Sequence, residues 1–220
     1  MEKKLRGIAF IGGAGPSRKA LREIAQGADV LVAADSGLTL CENAGLEPDW
    51  ILGDMDSLDD PARLEKYPAD RVLRSPAEKD LTDTELALDF LVTRGCGEIW
   101  LAGGGGGRLD HLFALRSLFD RDSPPDRWFP GSEEIRSLKA GRAFGAALPP
   151  GSIVSVFPLG DGPWEAESSG LKWPLGGLVW ERGSAWISNI ADGGPFEIRA
   201  VRGHLMIITP MLFGQDTEHD

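Results

Sequence analysis

The chain is poor in cysteine, in basic charge and in long apolar runs, and each scarcity excludes something. Cys41 and Cys96 are its only two cysteines and neither belongs to a C-x-x-C pair. The sequence therefore offers neither a zinc site nor a disulfide framework, and both residues read as buried thiols. No stretch approaches the roughly 18 apolar residues that a membrane-spanning helix needs. Lysine and arginine number 23 against 34 aspartates and glutamates, for a formal charge of -11. A chain so acidic argues against unassisted binding to nucleic acid or an acidic membrane, since both present dense negative charge. An anionic ligand would need local help from a helix N-terminus, an isolated cation or a bridging metal. The N-terminal MEKKLRGIAFIGG has a basic start, but its apolar run is short, is broken by Gly12 and Gly13, and lacks a small-residue cleavage pattern. It reads as a first strand, and the expected location is the cytoplasm.

What is present falls into two textures. Up to residue 120 or so, short β-rich runs at 5–11, 29–34, 50–53, 71–74 and 98–102 alternate with helical patterns at 17–26, 38–44, 82–94 and 108–119. That rhythm implies βαβ units and a mostly parallel sheet. Helix 82–94 is the clearest, because Thr82 and Glu85 have capping-box spacing and Leu86, Leu88, Phe90 and Leu91 supply an apolar face stopped by Gly95. After Arg121-Asp-Ser-Pro-Pro-Asp126 come most of the tryptophans, many prolines and glycines, and short alternating runs at 152–157, 185–189, 196–201 and 205–209. These predict a small antiparallel β domain. The fold class is α/β, with a mostly parallel sheet domain over 1–135 and an antiparallel β domain over 136–220; Trp128–Phe129 fits a last strand of the first sheet.

Ligands of a parallel α/β sheet gather at the carboxyl ends of its strands. There the sequence places mostly acid. Asp35 follows VLVAA, Asp54 and Asp56 follow WILG, and Asp80 and Asp83 lie in Lys79-Asp-Leu-Thr-Asp83 at a helix start. Carboxylates crowded into one crevice repel one another and call for a cation or a proton. Magnesium suits such an oxygen-only set completed by substrate phosphates and water. Asp80, Asp83 and Glu85 equally suit helix capping and compensation of the helix dipole. The glycine run Gly103–Gly107 follows EIWLA and leads into Arg108-Leu-Asp-His111, so its amides, a helix N-terminus and Arg108 are placed to grip phosphate oxygens. It is not a P-loop, because no Lys-Ser/Thr pair follows the last glycine. A second glycine-rich stretch, Gly12–Pro16, suits a phosphate or adenine contact. Trp173 beside Lys172 offers a face on which a flat cationic ring stacks.

The ordered set resembles the thiamine pyrophosphokinase family: Ala34-Asp-Ser-Gly37, Gly53-Asp-Met-Asp-Ser57, Lys79-Asp-Leu-Thr-Asp83, Gly106-Gly-Arg-Leu-Asp-His111, Gly170-Leu-Lys-Trp-Pro-Leu175 and Ser188-Asn189. Any one of these motifs is weak; their order is specific. The resemblance implies an N-terminal Rossmann-like catalytic domain, a C-terminal β-sandwich and a homodimer that moves pyrophosphate from ATP to thiamine with magnesium, active sites lying at the subunit interface. It implies Asp54, Asp56 and Asp83 as metal ligands, Asp35 and Asp110 as active-site acids, and Lys79 and Arg108 as phosphate contacts. Gly13, Asp80, Thr82, Gly106 and Gly107 would line the nucleotide, and Trp173, Ser188 and Asn189 the thiamine. Two departures stand out: Ser36 replaces a more usual glycine, and the run Gly183–Asn189 is longer than the family's tighter segment. The alternatives are a pyrophosphokinase for another hydroxyalkyl heterocycle, such as a pterin, and a nucleotide-binding module without turnover.

Overall fold

A computed structural model describes residues 4–76 and 80–213. The described chain divides into two compact units. One holds the residues up to Leu115, Arg127–Ser132 and the end from Leu212; the other holds Arg116–Asp126 and Glu133–Met211.

The first unit runs β1 (Leu5–Phe10), α1 (Arg18–Ala25), β2 (Val30–Ala34), α2 (Gly37–Asn43), β3 (Trp50–Gly53), β4 (Val72–Arg74), α3 (Asp83–Thr93), β5 (Cys96–Ala102), α4 (Leu109–Ser117) and β6 (Arg127–Phe129). Its strands lie in the order β6-β5-β1-β2-β3-β4, and every pairing is parallel. The central strands are apolar throughout, as strands covered on both faces must be: Ile8, Ala9, Phe10, Val32, Ala33, Leu101 and Ala102 are fully buried. Helices form where the sequence supplies caps. The Ser17 hydroxyl accepts from the Ala20 amide at 3.2 Å. Thr82 and Glu85 form the full capping box of α3, which buries Ala87, Leu88 and Leu91. Strand order reverses between β1 and β5, the switch point at which parallel α/β sheets open a crevice. The two glycine-rich loops follow those two strands.

Some boundaries differ from the sequence-based expectation. Strand 71–74 begins at Val72, because a 3-10 turn occupies Ala69–Arg71. A second 3-10 segment, Pro61–Lys66, is capped by Asp60 and has proline in its first turn; it carries no helical apolar period and had no sequence signal strong enough to assign. Helix α4 stops at Ser117 and tightens into a 3-10 turn, Leu118–Asp120.

The second unit contains β7 (Glu133–Leu138), β8 (Ala143–Ala147), β9 (Ile153–Leu159), β10 (Glu165–Ser169), β11 (Trp186–Ile190), β12 (Pro195–Arg202) and β13 (His204–Pro210). Strands β11-β9-β13-β7 form one antiparallel layer and β10-β12-β8 another. One core joins them: Leu138, Val154, Val156, Leu205 and Ile207 from the first layer meet Ala166, Phe196, Ile198 and Ala200 from the second. Strand β12 shows the cause, with Phe196, Ile198 and Ala200 buried while Glu197 and Arg199 face water. Two layers over a shared core make a sandwich.

Candidate active site

Three carboxylates converge in the first unit, each set by a different local device. Asp35 leaves β2 with φ of 50°, a left-handed conformation that aspartate tolerates better than most side chains. Its amide donates to Leu52 O at 2.8 Å, and its carbonyl accepts from Leu38 N at 3.0 Å at the start of α2. Asp54 leaves β3 in a turn held by its neighbour: Met55 has φ of 67° and sinks its side chain among Ala33, Leu38, Ile51, Leu58 and Leu64. Asp83 opens α3, where a negative charge is favoured by the helix dipole, and it accepts from Ser75 Oγ at 3.5 Å. Gly53 leaves room for Asp35 and Asp83 beside it. A Cβ there would lie 3.2 Å from both Asp35 Cβ and Asp83 Oδ1. Carboxylate oxygens of Asp35, Asp54 and Asp83 consequently lie within 4.8 Å of one another.

This grouping is electrostatically expensive. Burial pushes the Asp35 carboxyl above its ordinary range; the Ser57 hydroxyl counteracts this, and the negative charges of Asp83, Asp54 and Asp56 add to the rise. Asp35 is only 9% exposed, and its Oδ1 has no hydrogen-bond partner among the described residues. An orphaned buried oxygen inside an all-carboxylate trio is a donor set that fits a hard divalent cation.

The glycine loops form a fixed frame. Gly103 N donates to Phe129 O at 3.0 Å, Gly104 N to Gly12 O at 2.9 Å, and Gly105 and Ala14 exchange two bonds of 2.8 Å. Trp128 Nε1 donates to Gly103 O at 2.7 Å. Three amides of the run are thereby consumed, so any phosphate contact made by amides of this run falls to Gly106 and Gly107, with φ of 64° and 68°. Gly13, with φ of 98°, packs against Gly104 and Gly105. Arg108 stands at the head of α4 in a two-point ion pair with Asp110, Nε to Oδ1 at 3.1 Å and Nη2 to Oδ2 at 2.5 Å. The hydrogen bond with Arg108 holds the exposed Asp110 carboxyl below its usual range.

The remaining expected residues are distributed as follows. Asp56 is exposed; its amide donates to Asp54 Oδ1 at 3.1 Å and its own Oδ1 accepts from Ser57. It adds negative potential beside the trio. Asp80 is exposed, and Thr82 directs its amide and hydroxyl at Glu85. Lys79 lies outside the described residues. Trp173, Ser188 and Asn189 belong to the second unit. Asn189 is buried and clamps the backbone of Trp173, accepting from its amide at 3.1 Å and donating to its carbonyl at 2.6 Å. The Trp173 ring is half exposed, with Lys172 Nζ 4.6 Å from its centroid. Ser188 has φ of 61° at the register shift of β11, as at a β-bulge.

The family profile described as thiamin pyrophosphokinase, catalytic domain, matches residues 21–122, the stretch that carries the trio and Arg108. Over those residues the chain carries the pattern of a thiamin pyrophosphokinase catalytic domain. Over 160 residues it is 28% identical to the thiamine pyrophosphokinase of Bacillus subtilis (strain 168), spanning 66% of this chain and 69% of that one. The structure of a thiamin pyrophosphokinase from Geobacillus thermodenitrificans is 29% identical with a TM-score of 0.72, covering 97% of this chain and 99% of the other. That of the Bacillus subtilis protein superposes with a TM-score of 0.78 at 24% identity, over 94% and 99%, a likeness of fold. Ser36 finds a local explanation: a Cβ on Gly12 would lie 2.3 Å from Ser36 Oγ, so Gly12 makes room for the serine. Sequence reasoning missed Met55 as the anchor of its turn and Ser75 as a partner of Asp83. An apolar residue between two aspartates was the available signal for the first; the second had none.

Proposed function

We propose that this chain, as a thiamine pyrophosphokinase, transfers the β- and γ-phosphoryl groups of ATP, as one unit, to the hydroxyethyl oxygen of thiamine, giving thiamine diphosphate and AMP. The observation that carries the reading is the convergence of Asp35, Asp54 and Asp83 where β2 and β3 end and α3 begins. Release of AMP requires attack on the β-phosphorus. The new bond joins that phosphorus to the thiamine oxygen, the bond to the α–β bridging oxygen breaks, and the hydroxyl proton leaves to a carboxylate or to water. Such transfers are catalysed mainly by alignment and by neutralising oxygen charge.

Asp35, Asp54 and Asp83 would hold a magnesium ion, with Asp56 adding potential. When bound, the ion supplies charge neutralisation for the oligophosphate. Arg108 exchanges its exposed pair with Asp110 for phosphate oxygens, to which a guanidinium binds through two donors. Until phosphate displaces it, Asp110 holds the guanidinium oriented. Gly106, Gly107 and Gly13 let backbone approach the nucleotide, and Lys79, Asp80 and Thr82 complete that side. In the second unit, which we assign to thiamine, Trp173 takes the cationic thiazolium on its face, and Asn189 fixes the backbone that carries the ring, with Ser188 next to it. Lys172 must yield that face or thiamine must use the other. The protein is expected to act as a cytoplasmic homodimer. Incubation with ATP, magnesium and thiamine, followed by chromatography, should yield AMP and thiamine diphosphate in equal amounts; AMP formed without thiamine consumption would overturn the assignment.

A further inference from the structure

The two loops that present Asp35 and Asp54 are joined by a side-chain lock behind the acidic trio. Helix α2 starts two residues after Asp35 and directs Thr39 and Glu42, three residues apart, to one side, while Leu38 and Cys41 are buried. The 3-10 segment Pro61–Lys66 follows the Asp54–Ser57 turn and carries Arg63, with Tyr67 just beyond it. Arg63 meets Glu42 Oε2 through Nε at 2.8 Å and through Nη2, and donates from Nη1 to Thr39 Oγ1 at 2.9 Å. Tyr67 donates to the other oxygen, Glu42 Oε1, at 3.0 Å. The Glu42 and Arg63 side chains are each 19% exposed, so this pair is better shielded from solvent than ordinary surface ion pairs. Beneath it Leu38 from α2, Met55 from the turn, and Leu64 share one apolar cluster, against which Tyr67 packs.

Resting on the proposed cation site, we infer that Glu42, Arg63 and Tyr67 are positioning residues that set the distance between the Asp35 and Asp54 carboxylates and thereby the affinity of the trio for a divalent cation. None of the three belongs to the trio. They act by holding α2 and the Asp54 turn together, in the way outer-shell partners hold the ligands of a metal site.

The test is a titration of the nucleotide-free full chain with Mn2+, read by the electron paramagnetic resonance signal of the free ion, with melting curves alongside. Arg63→Gln should weaken Mn2+ binding about tenfold and Tyr67→Phe, which keeps the ring in the apolar cluster, about threefold. Arg63→Lys should restore part of the loss. In turnover assays the magnesium needed for half-maximal rate should rise while the KM for thiamine stays unchanged. Ile24→Val in α1, which supplies no residue of the lock, is the stability control and should leave Mn2+ affinity unchanged. Wild-type affinity in Arg63→Gln and Tyr67→Phe, or equal loss in Ile24→Val at matched melting temperature, would overturn the lock alone. Failure of the wild-type protein to bind Mn2+ would remove the cation site, and the lock with it.

Discussion

Asp35 carries the sharpest conflict between folding and function. It is buried, left-handed in its backbone and surrounded by three negative charges. Its raised pKa means that the folded protein binds more protons than the unfolded chain once pH rises above the ordinary aspartate value, about 3.9, so folding stability falls through that window. Asp35→Asn keeps a side chain suited to the left-handed region and removes the charge. Without metal, it should melt a few degrees higher than wild type at pH 7, the scale on which about 1 kcal/mol acts in a protein of this size. The gain should disappear near pH 4, and turnover should be lost. Thermal melts across pH check this; a lower melting temperature at pH 7 would contradict it. Asp54→Asn should reduce kcat by about 100-fold or more while changing stability by less than about 1 kcal/mol, measured by steady-state kinetics and melting on the same preparation. The chemistry of these residues was legible in sequence, because a carboxylate after an apolar run is a local pattern. Which three would touch was not. Asp35, expected as an active-site acid, joins Asp54 and Asp83, while Asp56 stands beside them; that choice depends on Met55 and Gly53, whose backbone angles no composition or spacing reveals.

Among elements, the glycine run behaves as a structural joint whose far end is left for ligand. A Cβ on Gly105 would lie 1.9 Å from Pro130 O, and one on Gly103 would lie 2.2 Å from Ile11 O. Backbone cannot retreat as a flexible side chain can, so Gly105→Ala should cost about 2–3 kcal/mol, read by denaturant unfolding. Gly107→Ala meets nothing within 4 Å but must adopt φ of 68°; it should cost about 1 kcal/mol in stability and raise the KM for ATP more than that for thiamine. A larger stability loss at Gly107 than at Gly105 would contradict this division of the run. Helix α3 and the strands of the parallel sheet were readable because caps and apolar runs lie close in sequence. Strands β8 and β10 were not, since AFGAA and EAESS lack a strong apolar alternation and are set by pairing with β12. The Glu42–Arg63–Tyr67 link was equally hidden, its partners standing 21 and 25 residues apart.

For the whole molecule, a net charge of -11 now has a local counterpart in the acidic trio. Global acidity is compatible with binding a nucleotide when a cation and a single arginine mediate the contact. Chelation should therefore abolish turnover and added magnesium restore it, followed as AMP release before and after dialysis against EDTA. The proposed homodimer should elute from a sizing column, with light scattering, at twice the chain mass of 23.7 kDa. The most direct test of the account is phosphorus NMR of ATP, magnesium and thiamine with wild type and Asp54→Asn in parallel. Wild type should convert ATP to AMP with two new coupled phosphorus resonances on thiamine, and Asp54→Asn should show neither on the same timescale. ADP with a single new resonance, or undiminished turnover in Asp54→Asn, would contradict pyrophosphoryl transfer at the carboxylate trio.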